Sequence, residues 1–444
     1  MKIKKSFGRR FATFLTVILT ISMLLLAAIY IGGTQFAADG SAISLEKNPE
    51  GTVGVGGTYG ENTPVYEKGL LPISFAAIMY GGRGGGAHGS EAAAKAQLEF
   101  ASELLHTCLE SGAQFSEINK DAFLSATYGD YLYLDFLSSL PYQMLYALTG
   151  ENISAARNDD ALNIDRAILV FDAADTAKLC FSDGERFFVS DMAARVHHSE
   201  LSALAGDSRL SPFTINEYGV PTSPASVMLP HLTLRAEADF SDAEKSEMYS
   251  VLGYTYTPQN VSDAVVATHG TLRVTPTRLV FSASKDGGIP VSDFLADEKN
   301  LLDIGIYDIL LGSVALCESL ADSANGILSG ADVYLESFYR EDDVYTLIFG
   351  ACSDSVRIYG TAYPYFAKIT VQSGRFRSVE IRFLQAEKDS FSYPLLSSAW
   401  QYSHAAESAS IYTLRPMYRV SILPSKEIAP AWFFTGEKTG GERS

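Results

Sequence analysis

Between Phe11 and Ile31 the chain reads FATFLTVILTISMLLLAAIYI, without a charged residue. About 20 apolar residues, rising about 1.5 Å each, carry a helix across a hydrocarbon core of about 30 Å. A helix of a soluble core would show a polar face over this length. The run therefore predicts a transmembrane helix over 11–31. Its polar side chains are Thr13, Thr16, Thr20, Ser22 and Tyr30, and a helix can satisfy such hydroxyls on its own carbonyls. Thr13, Thr16 and Thr20 fall on one helical face. Small hydroxylated residues at that spacing let a second membrane helix approach closely, so these three are candidate helix-contact residues. The plainer reading is that Thr is tolerated anywhere in a membrane helix.

The pattern changes at Gly32. Up to Gly69 the residues are small and polar, with Gly51, Gly54, Gly56 and Gly57 clustered, which predicts a flexible tether. Leu70 to Tyr80 is an apolar run suited to a strand. GGRGGGAHGS follows, then a helix in which Ala94, Leu98, Ala101, Leu105 and Leu109 recur at three- and four-residue spacing. Ser90 is its expected N-cap and Gly112 its stop. Gly84, Gly86 and Gly89 spell GxGxxG between strand and helix, the context of a dinucleotide fingerprint. No βαβ unit with a ribose-binding acid follows, so the stretch is expected to be a glycine-rich turn and no cofactor is predicted. Strands are expected at 131–136, 167–171, 177–181 and 186–190, with Asp183-Gly184 as a hairpin turn. Leu140 to Leu148 reads as a short helix with Pro141 in its first turn. Helix and loop are expected from Asp191 to about Ser250, broken by Pro212, Pro221, Pro224 and Pro230.

The second half repeats the theme. Strands are expected at 271–274 and 278–282, around Pro276-Thr277. A helix is expected from Leu301 to Gly326, then strands at 333–339, 344–349, 365–371 and 376–383, with turns at Asp342-Asp343 and Ser373-Gly374. A short helix over 394–402 and strands at 411–420 and 429–434 close the chain. The predicted class is α+β: one N-terminal transmembrane helix, then extracytoplasmic domains of helices packed on antiparallel sheets. The expected parts are a basic tail 1–10, the membrane helix 11–31, the tether 32–69 and two α+β domains, 70–250 and 251–444.

Charge gives the orientation. Lys2, Lys4, Lys5, Arg9 and Arg10 precede the apolar run and keep that end in the cytoplasm. The run is longer than a signal-peptide core, and Gln35-Phe36-Ala37-Ala38 is a poor cleavage site, which predicts an uncleaved anchor with the bulk of the chain outside a cell membrane. The formal charge is −18, so without those five basic residues the remainder carries −23. Such an exterior does not suit nucleic acid or anionic lipid. The bilayer is met through residues 11–31. Cys108, Cys180, Cys317 and Cys352 form no CxxC pair, which excludes a Cys-type zinc site or a redox motif. Disulfides and buried free thiols both remain open to them.

Several local patterns then acquire a common meaning. They are HGTLRVTPTRLVFSAS (269–284), the helix from Leu301, YFAKITVQSGRFRSVEIRF (365–383), TLRPMYRV (413–420) and APAWFF (429–434). In the first half they are the Ala-rich helix, YLYLDF and LPYQMLYALTG. Together the chain resembles the YycH/YycI-type extracytoplasmic regulators of the cell-wall two-component system of Gram-positive bacteria, with PepSY-like character in the last patterns. The resemblance implies a protein that acts by contact on a sensor histidine kinase in the same membrane, with a second accessory regulator as a further implied partner.

No catalytic set stands out. Adjacent His197 and His198 would point about 100° apart on a helix and do not chelate as an i, i+4 pair would. HExxH is absent, and no GxSxG or SxxK sits in a strand–turn–helix context. Asp159-Asp160, Glu341 and Asp342-Asp343 read as solvated turn residues. The expectation is a non-enzyme with no cofactor and no metal. The competing readings are a ligand- or wall-binding module without a kinase partner, and a PepSY-type protease modulator.

Overall fold

Strand makes up 50% of the described residues and helix 25%. The expected α+β class, with helices packed on antiparallel sheets behind a membrane helix, is therefore corrected to a mostly β fold. A computed structural model describes residues 73–110, 115–141, 163–172, 176–183, 186–215, 221–222, 228–255, 264–295, 300–361, 363–394, 413–420 and 427–435. All of them belong to one compact unit, Gly56–Ser444. The expected membrane helix 11–31 with Thr13, Thr16 and Thr20, the tether 32–69 and residues 395–402 lie outside the described residues. Among the described residues no helix is long and apolar enough to cross a membrane.

The first sheet contains β1 (Ile73–Tyr80), β2 (Arg83–His88), β3 (Phe115–Ile118), β4 (Asp130–Pro141), β5 (Asn163–Phe171), β6 (Thr176–Ser182) and β7 (Phe187–Arg195), in the order β2-β1-β4-β5-β6-β7-β3. Every neighbouring pair is antiparallel. Helix α1 (Ala92–Glu110) buries Ala94, Leu98, Ala101 and Leu105 in the main core, the stripe expected from their spacing. The opposite face carries Phe75, Tyr131, Tyr133 and Cys180, covered by Phe123 of α2 (Lys120–Ser125).

Three expectations fail in this half, each in favour of strand. The glycine run is β2, paired with β1 through a two-residue turn in which Gly81 and Gly82 have φ of 58° and 73°. Gly86 is bare because the 210–213 segment crosses it. Its N–H donates to the Ser211 carbonyl at 2.8 Å, and a Cβ there would stand 2.5 Å from the Phe75 ring. The helix expected at 140–148 does not begin at Leu140, because β4 runs through Leu140 and Pro141; residues 142–148 lie outside the described residues. Arg195, expected in helix or loop, ends β7. Gly82→Ala is expected to cost about 1–2 kcal/mol, because L-residues resist this left-handed conformation, and Gly82→Asn less. Urea unfolding midpoints of the two variants check the ranking.

Short helix α3 (His198–Ala205) and the small hairpin β8 (Thr214–Ile215) with β9 (Pro221–Thr222) lead to the rest of the chain. A second sheet joins β10 (Met228–Arg235), β15 (Leu328–Ser329), β21 (Leu384–Pro394) and β23 (Glu427–Ile428), in the order β15-β21-β10-β23. β10 was also expected in a helix-and-loop region. Pro230 does not break it, because it sits at a register shift of the β10–β21 pair, where its missing N–H is tolerated. Helix α4 (Asp242–Val251) begins at a Ser241–Glu244 capping box.

The largest sheet has eleven strands. They are β11 (Ala264–Ala267), β12 (Gly270–Val274), β13 (Arg278–Ala283), β14 (Ile289–Pro290), β16 (Asp332–Glu341), β17 (Val344–Ser353), β18 (Val356–Tyr359), β19 (Ala367–Gln372), β20 (Arg375–Arg382), β22 (Thr413–Arg419) and β24 (Ala431–Thr435). Helix α5 (Ile306–Ser323) buries Ile309, Leu310, Val314 and Leu320 in the core that also holds Leu272, Leu279, Phe281, Val379 and Ile381. It begins at Ile306 rather than Leu301. Residues Leu301–Asp303 form a separate 3-10 turn, and the Asp308 carboxylate accepts from the Gly305 N–H at 2.9 Å to open the helix. The first and largest sheets meet where the Ser138 hydroxyl donates to the Leu335 carbonyl at 2.7 Å, beside the packed side chains of Leu137, Tyr334 and Cys352.

Candidate functional site

Strands β12, β13, β20 and β19 lie side by side, with one register shift between β19 and β20 at Thr370/Val371. Leu272, Leu279, Phe281, Val379, Ile381 and Ile369 point into the core. The residues between them face solvent, and this outer face concentrates cations. Register places Arg273 opposite Val280, Val280 opposite Glu380, and Glu380 opposite Lys368, one row across four strands. In the next row Arg278 stands opposite Arg382. Like charges placed directly opposite destabilise a sheet. Glu380 relieves the clash: its Oε1 lies 3.2 Å from Arg278 Nη1 and 3.6 Å from Arg382 Nη2. The Arg382 guanidinium also covers the Tyr365 ring at 4.7 Å. Burial raises the Tyr365 phenol, an effect the Arg382 hydrogen bond partly offsets.

One carboxylate thus serves two guanidiniums, while Arg273 and Lys368, both exposed, have no hydrogen-bond or ion-pair partner among the described residues. Between the arginines lies an open groove of about 360 Å³, lined by Arg273, Thr275, Thr277, Arg278, Val280 and Glu380. The β12–β13 turn is fixed in shape. The Thr275 hydroxyl donates to the Arg278 carbonyl at 3.0 Å and accepts from the Arg278 N–H at 3.2 Å. Neighbouring segments also hold the turn, since the Pro276 carbonyl accepts from the Ala238 N–H at 2.8 Å and the Thr277 carbonyl from the Phe383 N–H at 3.1 Å. The Thr275 hydroxyl proton is therefore committed to the turn. The guanidiniums remain as donors for a ligand, with Thr277 at the rim.

Chemically, an exposed pair of guanidiniums around an open groove is complementary to an oxyanion. A nucleophile–base spacing does occur elsewhere: Ser90 Oγ lies 3.0 Å from His88 Nδ1. His88, however, is 2% exposed, and burial lowers it to about 4, against an opposing pull from Asp354. Both residues belong to the turn that leads into α1, where the Glu91 carboxylate accepts from the His88 N–H at 3.0 Å. A base so buried and so weak is part of the packing.

The other residues singled out from sequence are spread through the fold. His197 precedes α3, and His198 is hydrogen-bonded to the Tyr80 hydroxyl. Gly84 and Gly86 lie in β2, with Gly89 just beyond it. Asp342-Asp343 makes the β16–β17 turn, with Asp342 at φ 55°. Arg415, Pro416 and Trp432 lie in β22 and β24, which pair with each other. Cys180, Cys317 and Cys352 are buried free thiols. Burial raises Cys180 to about 11 and Cys317 to about 12. Asp159-Asp160 lie outside the described residues. Among the described residues no three His, Cys, Asp or Glu side chains are grouped to hold a metal ion.

Neither protein-family models nor curated proteins give a match to the chain. Among solved structures, the chain is similar to an uncharacterized protein from Eubacterium rectale, at 11% identity and a TM-score of 0.31, over 50% of this chain and 82% of that one.

Proposed function

We propose that the chain is a non-catalytic, membrane-anchored extracytoplasmic protein that regulates a sensor histidine kinase by contact, with the cationic face of the largest sheet as its contact surface. The observation that carries this reading is the crowding of Arg273, Arg278, Lys368 and Arg382 around one carboxylate, Glu380, in a chain of formal charge −18. The sheet gains nothing from placing Arg278 opposite Arg382. An acidic partner surface does gain, in encounter rate and in specificity. The apolar run 11–31 supports the anchorage, and an anchor raises the effective concentration against a partner in the same bilayer. The family resemblance supports a kinase as that partner, and two of its stretches, 269–284 and 365–383, supply the cationic face. A wall-binding module without a kinase shares the same surface, which also suits an anionic polymer.

The test uses the full-length chain carrying Arg278→Glu and Arg382→Glu, checked for an unchanged melting profile. Co-purification of the sensor kinase from membranes should fall at least about tenfold, and the output of the kinase's target promoters should shift. Wild-type levels of both would sink the reading. Recovery of an anionic wall polymer without any kinase would favour the wall-binding alternative.

A further inference from the structure

We propose that the groove between Arg273 and Arg278 is a binding site for a phosphate-type oxyanion, and that Glu380 is its built-in competitor. The inference rests on reading the cationic face as the working surface, and does not depend on the kinase being the partner. Three observations lead to it. Four cations stand against one carboxylate on this face, so a dianion balances the excess better than a monoanion does. Arg273 and Arg278 lie on neighbouring strands and both line one open groove of about 360 Å³. Two guanidinium forks can engage different oxygen pairs of one tetrahedral group, whereas a single fork already takes both oxygens of a carboxylate. Finally, Glu380 Oε1 accepts a hydrogen bond from Arg278 at 3.2 Å and forms an ion pair with Arg382 at 3.6 Å, leaving Arg273 without a partner among the described residues.

Glu380 therefore occupies part of the anion's place and leaves the rest vacant. An incoming phosphate takes Arg273 directly and takes Arg278 from Glu380, which keeps Arg382. The turn 275–278 needs no rearrangement, because its hydroxyl and backbone bonds are made within the turn and to Ala238 and Phe383, and none of them involves a guanidinium or Glu380. The same chemistry is offered by free phosphate and by the phosphodiester headgroup of a lipid.

The full-length chain in phosphatidylcholine nanodiscs, titrated calorimetrically with inorganic phosphate at ionic strength held constant with chloride, provides the test. Saturable binding is expected, with acetate at least about tenfold weaker. Arg273→Gln and Arg278→Gln should each weaken phosphate at least about tenfold, and Glu380→Gln should tighten it by a similar factor. Nanodiscs containing phosphatidylglycerol separate the sources. Suppressed phosphate binding there assigns the lipid headgroup, and undiminished binding assigns a free ligand. Either result supports the shared chemistry. Absence of saturable binding, or binding indifferent to Arg273→Gln, overturns the site. Tightening that fails in a folded Glu380→Gln overturns the competitor role. If Glu380→Gln does not fold, the exposed Arg273→Gln still decides the site. Intact phosphate binding with no kinase co-purification would fault the kinase reading alone, and the reverse pattern would fault this one alone.

Discussion

Arg357→Met is expected to lower stability by about 3 kcal/mol. Arg357 Nε donates to the Tyr334 hydroxyl at 2.9 Å, and its Nη2 pairs with the Glu336 carboxylate, which the Tyr334 hydroxyl also reaches. The Arg357 and Glu336 side chains are only 13% and 18% exposed. Burial holds the Tyr334 phenol well above its usual range, so it stays a neutral donor. The cluster is built across β17: Tyr334 lies opposite Gly350, where a Cβ would come within 2.5 Å of its ring, and Arg357 lies opposite Cys352. Removing the cation strands a largely buried carboxylate, which costs more than the ion pair contributed. The double variant Arg357→Met/Glu336→Gln should therefore recover most of the loss. Urea unfolding of the three proteins measures it, and a single variant within about 0.5 kcal/mol of wild type would show the cluster to be solvated.

Acidification supplies the second large effect. Burial depresses His88 to about 4 in the folded chain, against an ordinary value of 6.5. The unfolded chain thus takes up the His88 proton first as pH falls. Stability is complete above about pH 6.5, declines towards pH 4 and is level below it, a loss of about 3 kcal/mol from this residue. Glu91 beside it is raised above 4.5, chiefly by burial, and so acts in the opposite direction within the same window. The difference in unfolding free energy between wild type and His88→Gln, followed from pH 7 to 4, removes the Glu91 contribution. A difference that stays flat across this window would falsify the assignment. The orphaned Nε2 explains why the proton finds no welcome: it is buried and has no acceptor among the described residues.

Where side chains alternate or recur, the chain could be read directly. The stripe of α1 appeared as expected, and so did the strand expected at 278–282, which is β13. The Ser373-Gly374 turn, with φ of 52° and 68°, was equally legible. Strand went unrecognised where its usual marks are missing. β2 is built largely of glycine, which leaves no apolar period to detect. Pro141 and Pro230 read as a helix start and a breaker, yet one ends a strand and the other sits at a register shift. The site was hidden for a different reason. Alternation tells which face a residue occupies and not which strand lies beside it. The pairing of Arg278 with Arg382 depends on β13 meeting β20 across the intervening α5 and five strands of the same sheet.

The pairing of β10 with β21 also sets an order of events. Leu229 is paired with Tyr393, and Leu232 with both Lys388 and Ile428. A ribosome or an export channel delivers the chain from its N-terminus, so β10 emerges long before the strands that flank it exist. Until then an eight-residue strand with two open edges must be kept from pairing elsewhere, the situation in which nascent chains aggregate. Residues 384–394 and 427–428, delivered much later, complete a sheet begun at β10, so this part assembles only after most of the intervening chain has emerged.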